Sequence, residues 1–267
     1  MAIITKKSGK LEYLVAEGIG APHGFTTRLG GVSQGYLNSL NIGLHRGDCP
    51  ENVEKNYHIL GKAIGFDPMK LVLTKQIHSD IVRRVGRNDW GNYMEEGVSP
   101  QCDALITKES GTALVIFTAD CTPILLHDPV TGAVGAAHAG WRGTAADIAG
   151  KTARAMCREF GCDPQNIRAA IGPNIGSCCF QTDGEVPEAM IAAFGVEAAD
   201  YIRREGEKFY LDLKKINALA LKRAGVQQIE ISGDCTVCQP DRFWSHRVHG
   251  PQRGSQGAII VCKEGRI

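Results

Sequence analysis

The sequence contains no apolar run near the roughly 18–20 residues that a membrane span requires. The longest such runs, around Ala113–Phe117 and Ile124–Leu126, have the length of strands. Charge of one sign is also missing. Thirty Lys and Arg against 29 Asp and Glu leave a net charge of +1, so neither a basic field for nucleic acid nor an acidic tail is present. A small phosphate-bearing ligand stays open, because one or two local arginines are enough to hold it. Internal repeats, low-complexity tracts and Pro/Ser-rich linkers are absent. Aromatic residues are few at 6%, beside 43% hydrophobic and 22% charged residues, which is ordinary for a globular chain of 267 residues able to bury a substantial core. The stretch "MAIITKKSGKLEYLVAEGIG" lacks a long apolar segment, so no signal peptide is expected. Ten cysteines are too sparse for a disulfide-stapled mini-domain, and reduced thiols in a cytoplasmic protein are the expectation.

What is present is glycine, 32 residues of it, punctuating short elements. Helices are expected over 51–64, 144–160, about 185–194 and 212–224, from apolar residues at helical spacing, with start signals such as Asp48 and Asp212 and stops such as Gly65 and Gly161. Strands are expected at 71–74, 80–85, 104–107, 113–119, 123–128, 133–139, 168–172, 228–232 and 258–263. Continuous apolar strands are buried on both faces, which a sheet between another sheet and helices would explain. The mixed order points to α/β or α+β.

The stretch "TADCTPILLHDPVTGAVGAAHAGWRG" (118–143) sets Cys121 and His138 17 residues apart. Three readings stay open. They are two ligands of a zinc site that needs three protein donors and an open position, a thiol nucleophile with its base, or buried packing. Asp120 weakens the last, because an unpaired buried carboxylate is costly. A third ligand would come from His78 in "KQIHSDIV", or less well from His23 in "APHGFTTR". Neither HExxH nor a paired CxxC is present.

Anion or sugar contacts could come from Arg28 in "GFTTRLGGVSQG", from Asn41, His45 and Arg46 in "LNIGLHRGD", and from Arg142 at a helix start. Ordinary surface turns and a surface salt bridge are the plainer readings. "CTVC" (235–238) is taken as a turn, because the adjacent Cys178 and Cys179 do not comfortably ligate together. Cys49, Cys102, Cys157, Cys162 and Cys262 are taken as small hydrophobes, and His246 with His249 as a weak HxxH.

Taken in order, "GFTTRLGGVS", "LNIGLHRGD", "KQIHSDIV", "CDALIT", "TADCTPILL", "HAGWRGT", "AIGPNIG", "CTVC" and "FWSHR" resemble the YfiH-like proteins, also called laccase-domain, polyphenol oxidase or peptidoglycan editing factor proteins. The resemblance runs from about residue 20 to the end. It implies one α/β domain over 1–267, with two packed mixed sheets flanked by helices (α/β/β/α). It also implies one zinc per chain on His78, Cys121 and His138. The implied activity is phosphorolysis of purine nucleosides (adenosine, inosine, guanosine, methylthioadenosine) with deamination of adenosine; one branch is linked to editing of cell-wall precursors. On this reading Cys121, His138, His78 and Asp120 are catalytic, with Asp120 as proton carrier, while Arg28, Asn41, Arg46, Arg142 and Arg247 bind nucleoside and phosphate. The protein would act as a monomer or small homo-oligomer, with no nucleic acid or membrane partner. Copper oxidation is set aside, because multicopper sites need about ten histidines in HxH clusters and this chain has eight and no HxH. A metal-free Cys–His hydrolase and a non-catalytic interaction protein are the competing readings. One departure stands out: the family's C-terminal "FFSYRRDG" reads "FWSHRVHGP" here, so Val248 and His249 replace an arginine and an acid.

Overall fold

Gly9, at φ 60, supplies the left-handed backbone of a two-residue hairpin turn. It joins β1 (Ile3–Ser8) to β2 (Leu11–Ala16), with Ser8 opposite Leu11. The sequence reading has no strand here. β1 is an exposed edge carrying Lys6 and Lys7, charges that discourage pairing with other chains but erase the apolar alternation. The computed structural model describes residues 2–91 and 99–263.

The chain continues through β3 (His23–Thr26), α1 (Pro50–Ile64), β4 (Leu71–Val72), β5 (Val82–Arg84) and β6 (Ala104–Thr107). β7 (Ala113–Thr118), β8 (Thr122–His127) and β9 (Val134–Ala139) follow, then α2 (Trp141–Ala145) and α3 (Ile148–Phe160). β10 (Arg168–Ile171), β11 (Gln181–Thr182), α4 (Glu185–Phe194), β12 (Ile202–Glu205) and β13 (Lys208–Leu211) come next. α5 (Leu213–Arg223), β14 (Gln228–Ile231), α6 (His246–His249) and β15 (Gln256–Val261) complete the described strands and α-helices.

Two six-stranded mixed sheets result, in the orders β1-β2-β3-β15-β7-β4 and β14-β10-β8-β9-β6-β5, and β11-β13-β12 form a small third sheet. Side-chain alternation divides the core into layers. Leu14, Phe25, Leu114, Ile116 and Ile260 of the first sheet meet Leu105, Leu125, Val134 and Ala136 of the second. The outer face of the first sheet packs Val115 and Ile259 against Val53, Tyr57 and Leu60 of α1. The outer face of the second sets Ile106, Ile124, Leu126 and Ala137 against Met156, Ile216 and Leu221 of α3 and α5. The order is helix, sheet, sheet, helix, as the α/β/β/α expectation has it. β8, β9 and β15 are buried at every position, because each sheet has a layer on both faces.

The helix expected over 144–160 is corrected in one respect. Asp147 takes φ 63 and splits it, so that α2 starts at Trp141 and α3 at Ile148. No helix among the described residues is long and apolar enough to cross a membrane.

Candidate metal-dependent active site

The chain passes from the first sheet to the second at Ala119–Cys121, between β7 and β8. That crossing bends at Asp120, whose φ is 88. β8 pairs with β9 so that Pro123 lies opposite His138. Cys121, two residues before Pro123, therefore shares its face with His138. His78, at φ 58 in the segment after β4, completes the group. Donor atoms of His78, Cys121 and His138 all lie within 4.8 Å of one another. Cys121 Sγ is 3.9 Å from His78 Nε2, and the two imidazole rings meet edge to face at 4.9 Å.

Asp103, fully buried at the start of β6, organises this triad. Its Oδ1 accepts from His138 Nδ1 at 2.8 Å and from the His78 amide at 3.1 Å. Its Oδ2 accepts from the Ser79 amide (2.6 Å), the Ser79 hydroxyl (2.7 Å) and the Ile77 amide (3.2 Å). One carboxylate thus fixes the His78 backbone and assigns the His138 tautomer, leaving Nε2 to ligate. Burial alone would raise the Cys121 thiol, but the imidazoles of His138 and His78 outweigh it and bring it down to about 6. Burial likewise opposes charge on His138, and Cys121 with Asp103 carries it up to about 9. Asp103, despite burial, is held at about 2 by His138 and Ser79. The metal-free site is accordingly a thiolate–imidazolium pair, with the soft ligand already deprotonated.

The donor set fits zinc. Two imidazoles and a thiolate at ordinary zinc distances put N and S about 3.6 Å apart in a tetrahedron, close to the 3.9 Å observed. Gly140 keeps the cradle open. A Cβ there would stand 2.9 Å from His78 Cδ2 and 3.3 Å from Cys121 Sγ.

The triad opens into a cavity of about 830 Å³, also lined by Leu44, His45, Arg46, Leu73, Thr74, Lys75, Ser99, Phe117 and Arg253. No carboxylate is among the described lining residues. Burial and the neighbouring Arg46 push Arg253 down to about 10.

The expected substrate contacts divide. Arg46 lines the cavity, as does His45. Asn41 is wholly buried and braces the 41–48 loop, accepting from the Gly43 and Ser255 amides and donating to Asp48. Arg28, Arg142, Arg247 and Asp120 do not line it. Arg28 lies 3.9 Å over Trp244 and donates to the Pro240 and Asn38 carbonyls. Arg142 is exposed and stacks 4.1 Å over Trp141. Arg247 donates to the Cys179 and Gln181 carbonyls. Asp120 accepts from the Thr236 hydroxyl (2.6 Å) and the Arg247 amide (2.7 Å), so both its oxygens brace the crossing. His23 uses both ring nitrogens on the Ala16 amide and the Ala21 carbonyl and is structural. The departing residues Val248 and His249 sit in α6 outside the cavity, His249 against Arg28 and Trp244.

Asp103, Lys75 and Arg253 escape sequence reasoning. "QRGSQG" does carry the signal used for Arg28, an arginine among glycines and polar residues.

The family model described as multi-copper polyphenol oxidoreductase laccase matches residues 22–263. The chain belongs to this laccase-like YfiH family. Among its YfiH-family relatives is the purine nucleoside phosphorylase YlmD of Geobacillus stearothermophilus, 38% identical over 91% of this chain and 89% of that protein. A purine nucleoside phosphorylase of Deinococcus radiodurans is 38% identical over 94% and 92%. The crystal structure of a Bacillus licheniformis hypothetical protein YfiH superposes with a TM-score of 0.92 at 32% identity, over 97% of this chain and 99% of that one.

Proposed function

We propose that this YfiH-family chain is a zinc-dependent purine nucleoside phosphorylase. The observation that carries this reading is one cavity joining a His78/Cys121/His138 triad to three cations, Arg46, Lys75 and Arg253, with no carboxylate among the described lining residues. Its size suits a nucleoside with phosphate, since small-molecule sites span roughly 300–1,000 Å³. The relatives named as purine nucleoside phosphorylases support the substrate class.

His78, Cys121 and His138 would hold the zinc ion, which would supply Lewis acidity to the bound substrate. Arg46, Arg253 and Lys75 hold phosphate as charge-assisted donors. Leu73 and Phe117 offer the base an apolar wall, and Thr74 and Ser99 bring hydroxyls for the ribose. An oxygen of hydrogen phosphate forms a bond to the ribose C1′ as the glycosidic bond breaks, and the phosphate proton ends on the departing purine nitrogen, giving ribose 1-phosphate and the free base. Deamination of adenosine by the same site needs a proton carrier, a part that falls to His45 because Asp120 is engaged elsewhere.

The test is zinc-loaded protein with inosine or adenosine, with and without phosphate. Phosphate-dependent release of hypoxanthine or adenine is expected. No release, or release at equal rates without phosphate, overturns the assignment. A metal-free Cys–His hydrolase would instead leave Cys121 open to alkylation in zinc-loaded protein; protection by zinc is expected.

A further inference from the structure

A second group of soft donors lies outside the cavity. The sequence reading kept "CTVC" as a turn and held that Cys178 and Cys179 do not ligate together. The structure corrects that picture, because a tight turn over 176–180 directs both sulfurs to one point. The Cys179 and Phe180 amides donate to the Gly176 carbonyl. Cys178 Sγ and Cys179 Sγ then lie 3.5 and 3.4 Å from Cys238 Sγ. With Cys235, all four sulfurs fall within 4.8 Å of one another.

We propose that Cys178, Cys179, Cys235 and Cys238 form a second, structural zinc site of four thiolates, separate from the His78/Cys121/His138 triad.

A tetrahedral four-thiolate zinc spaces its sulfurs about 3.8 Å apart, within the range these side chains already span. A disulfide accounts for the group less well. Its S–S bond is about 2.05 Å, Cys238 is equally near two partners, and any single bridge strands two thiols in the cluster. Backbone amides favour anionic sulfur at Cys235, whereas burial and the neighbouring thiols raise Cys178 and Cys179, whose protons a metal would displace. The Gly176 amide donates to Cys235 Sγ at 3.2 Å, and the Cys238 and Val237 amides face the same atom. Lys214, buried, anchors its ammonium on the Ser232 and Asp234 carbonyls and places its charge within reach of Cys235 and Cys178. Four thiols binding Zn²⁺ release four protons and leave the centre at −2, so one fixed cation and three amides are apt compensation.

The clamp has a use. It ties the loop after β10 to the loop after β14, and those loops hold the crossing that presents Cys121. The Ile175 amide donates to the Asp120 carbonyl (2.9 Å). Asn174 donates to the Thr122 hydroxyl (2.8 Å), and Thr236 donates to Asp120 (2.6 Å).

The test counts metal and reads ligand type in the full chain, purified under reducing conditions without chelator. Two zinc ions per chain are expected in the parent. One is expected in His78→Ala and one in the Cys178→Ser/Cys238→Ser double variant. His78→Ala reconstituted with Co²⁺ keeps the four-cysteine site intact, so it remains informative even if the double variant fails to fold. It should show the intense visible bands and sulfur-to-cobalt charge transfer of a tetrahedral thiolate centre. No zinc in His78→Ala, or a parent mass lower by two hydrogens that marks a disulfide among these cysteines, overturns the proposal. Because neither readout involves turnover, the result stands apart from the phosphorylase assignment.

Discussion

Asp103→Asn isolates the part of the site that the metal ligands do not explain. The carboxylate accepts five hydrogen bonds, from His138, Ser79 twice, His78 and Ile77. An amide of the same shape has one oxygen and one NH₂. If the NH₂ takes the Oδ1 position it faces His138 Nδ1, moving that proton to Nε2 and blocking the ligating nitrogen. If it takes the Oδ2 position it faces two backbone amides. Either way at least one buried donor loses its acceptor, a cost of about 1–3 kcal/mol in stability. Loss of a carboxylate behind a ligating histidine lowers metal affinity by about 10–100-fold, or about 1.4–2.8 kcal/mol. Competition between protein and a chelator for zinc measures the second quantity, and urea unfolding of the metal-free protein measures the first. Ser79→Ala is the control: it removes one bond to Asp103, leaves the His138 bond in place, and should lower zinc affinity by less than about tenfold. A folded Asp103→Asn protein with parental zinc affinity would refute the assignment of Asp103 as the group that orients His138.

Three further predictions concern the same site. Gly140→Ala, where φ is an ordinary −68, should leave stability nearly unchanged yet lower zinc affinity by about tenfold or more, since its Cβ displaces His78 and Cys121; unchanged affinity in a chelator titration contradicts this. Arg253→Gln should raise the KM for phosphate by about 10–100-fold, the worth of one charge-assisted bond, with little effect on the nucleoside KM, while Arg142→Gln changes neither; equal effects would remove Arg253 from the phosphate site. The pH dependence follows from the lowered thiol and the raised imidazole. Cys121 stabilises the metal-free fold above its unfolded value of 9.0 and loses that contribution as pH falls through about 6. His138 stabilises it below 6.5 and loses that contribution as pH rises through about 9. Between about 6.5 and 9 the folded pair and the unfolded groups each hold one proton, so the two opposing contributions cancel and urea midpoints should stay flat across that range. In the Cys178→Ser/Cys238→Ser variant, where only the triad takes up zinc, binding in that range should release one proton, the one on His138, and at least two below about 6. Calorimetry in buffers of different ionisation enthalpy counts them, and no proton release at neutral pH contradicts the ion pair.

The sequence alone determined what is local or chemically marked. α1, α4 and α5 follow from helical apolar spacing and their stops, and β7, β8, β9 and β15 from runs that only two-sided burial explains. His78, Cys121 and His138 were legible as donors because soft and imidazole ligands stand out amid apolar strands, although it took the family's motif order to choose metal over nucleophile. Arg46 was legible from its polar, glycine-bounded loop. What the sequence could not decide was convergence, because that depends on which segments the two sheets bring together. Asp103 lies 35 residues from His138 and reads as the polar start of an ordinary strand until the β6–β9 pairing sets it behind the imidazole. Arg28 and Arg142 carry the same charge as Arg253, yet packing spends them on Trp244 and Trp141 and leaves Arg253 facing the cavity. Cys178 and Cys238, 60 residues apart, meet only because β10 and β14 run parallel and end side by side. Composition and periodicity report each segment's own surroundings. Distances across the sheets, and so the chemistry of both cysteine-bearing sites, were decided by the tertiary fold.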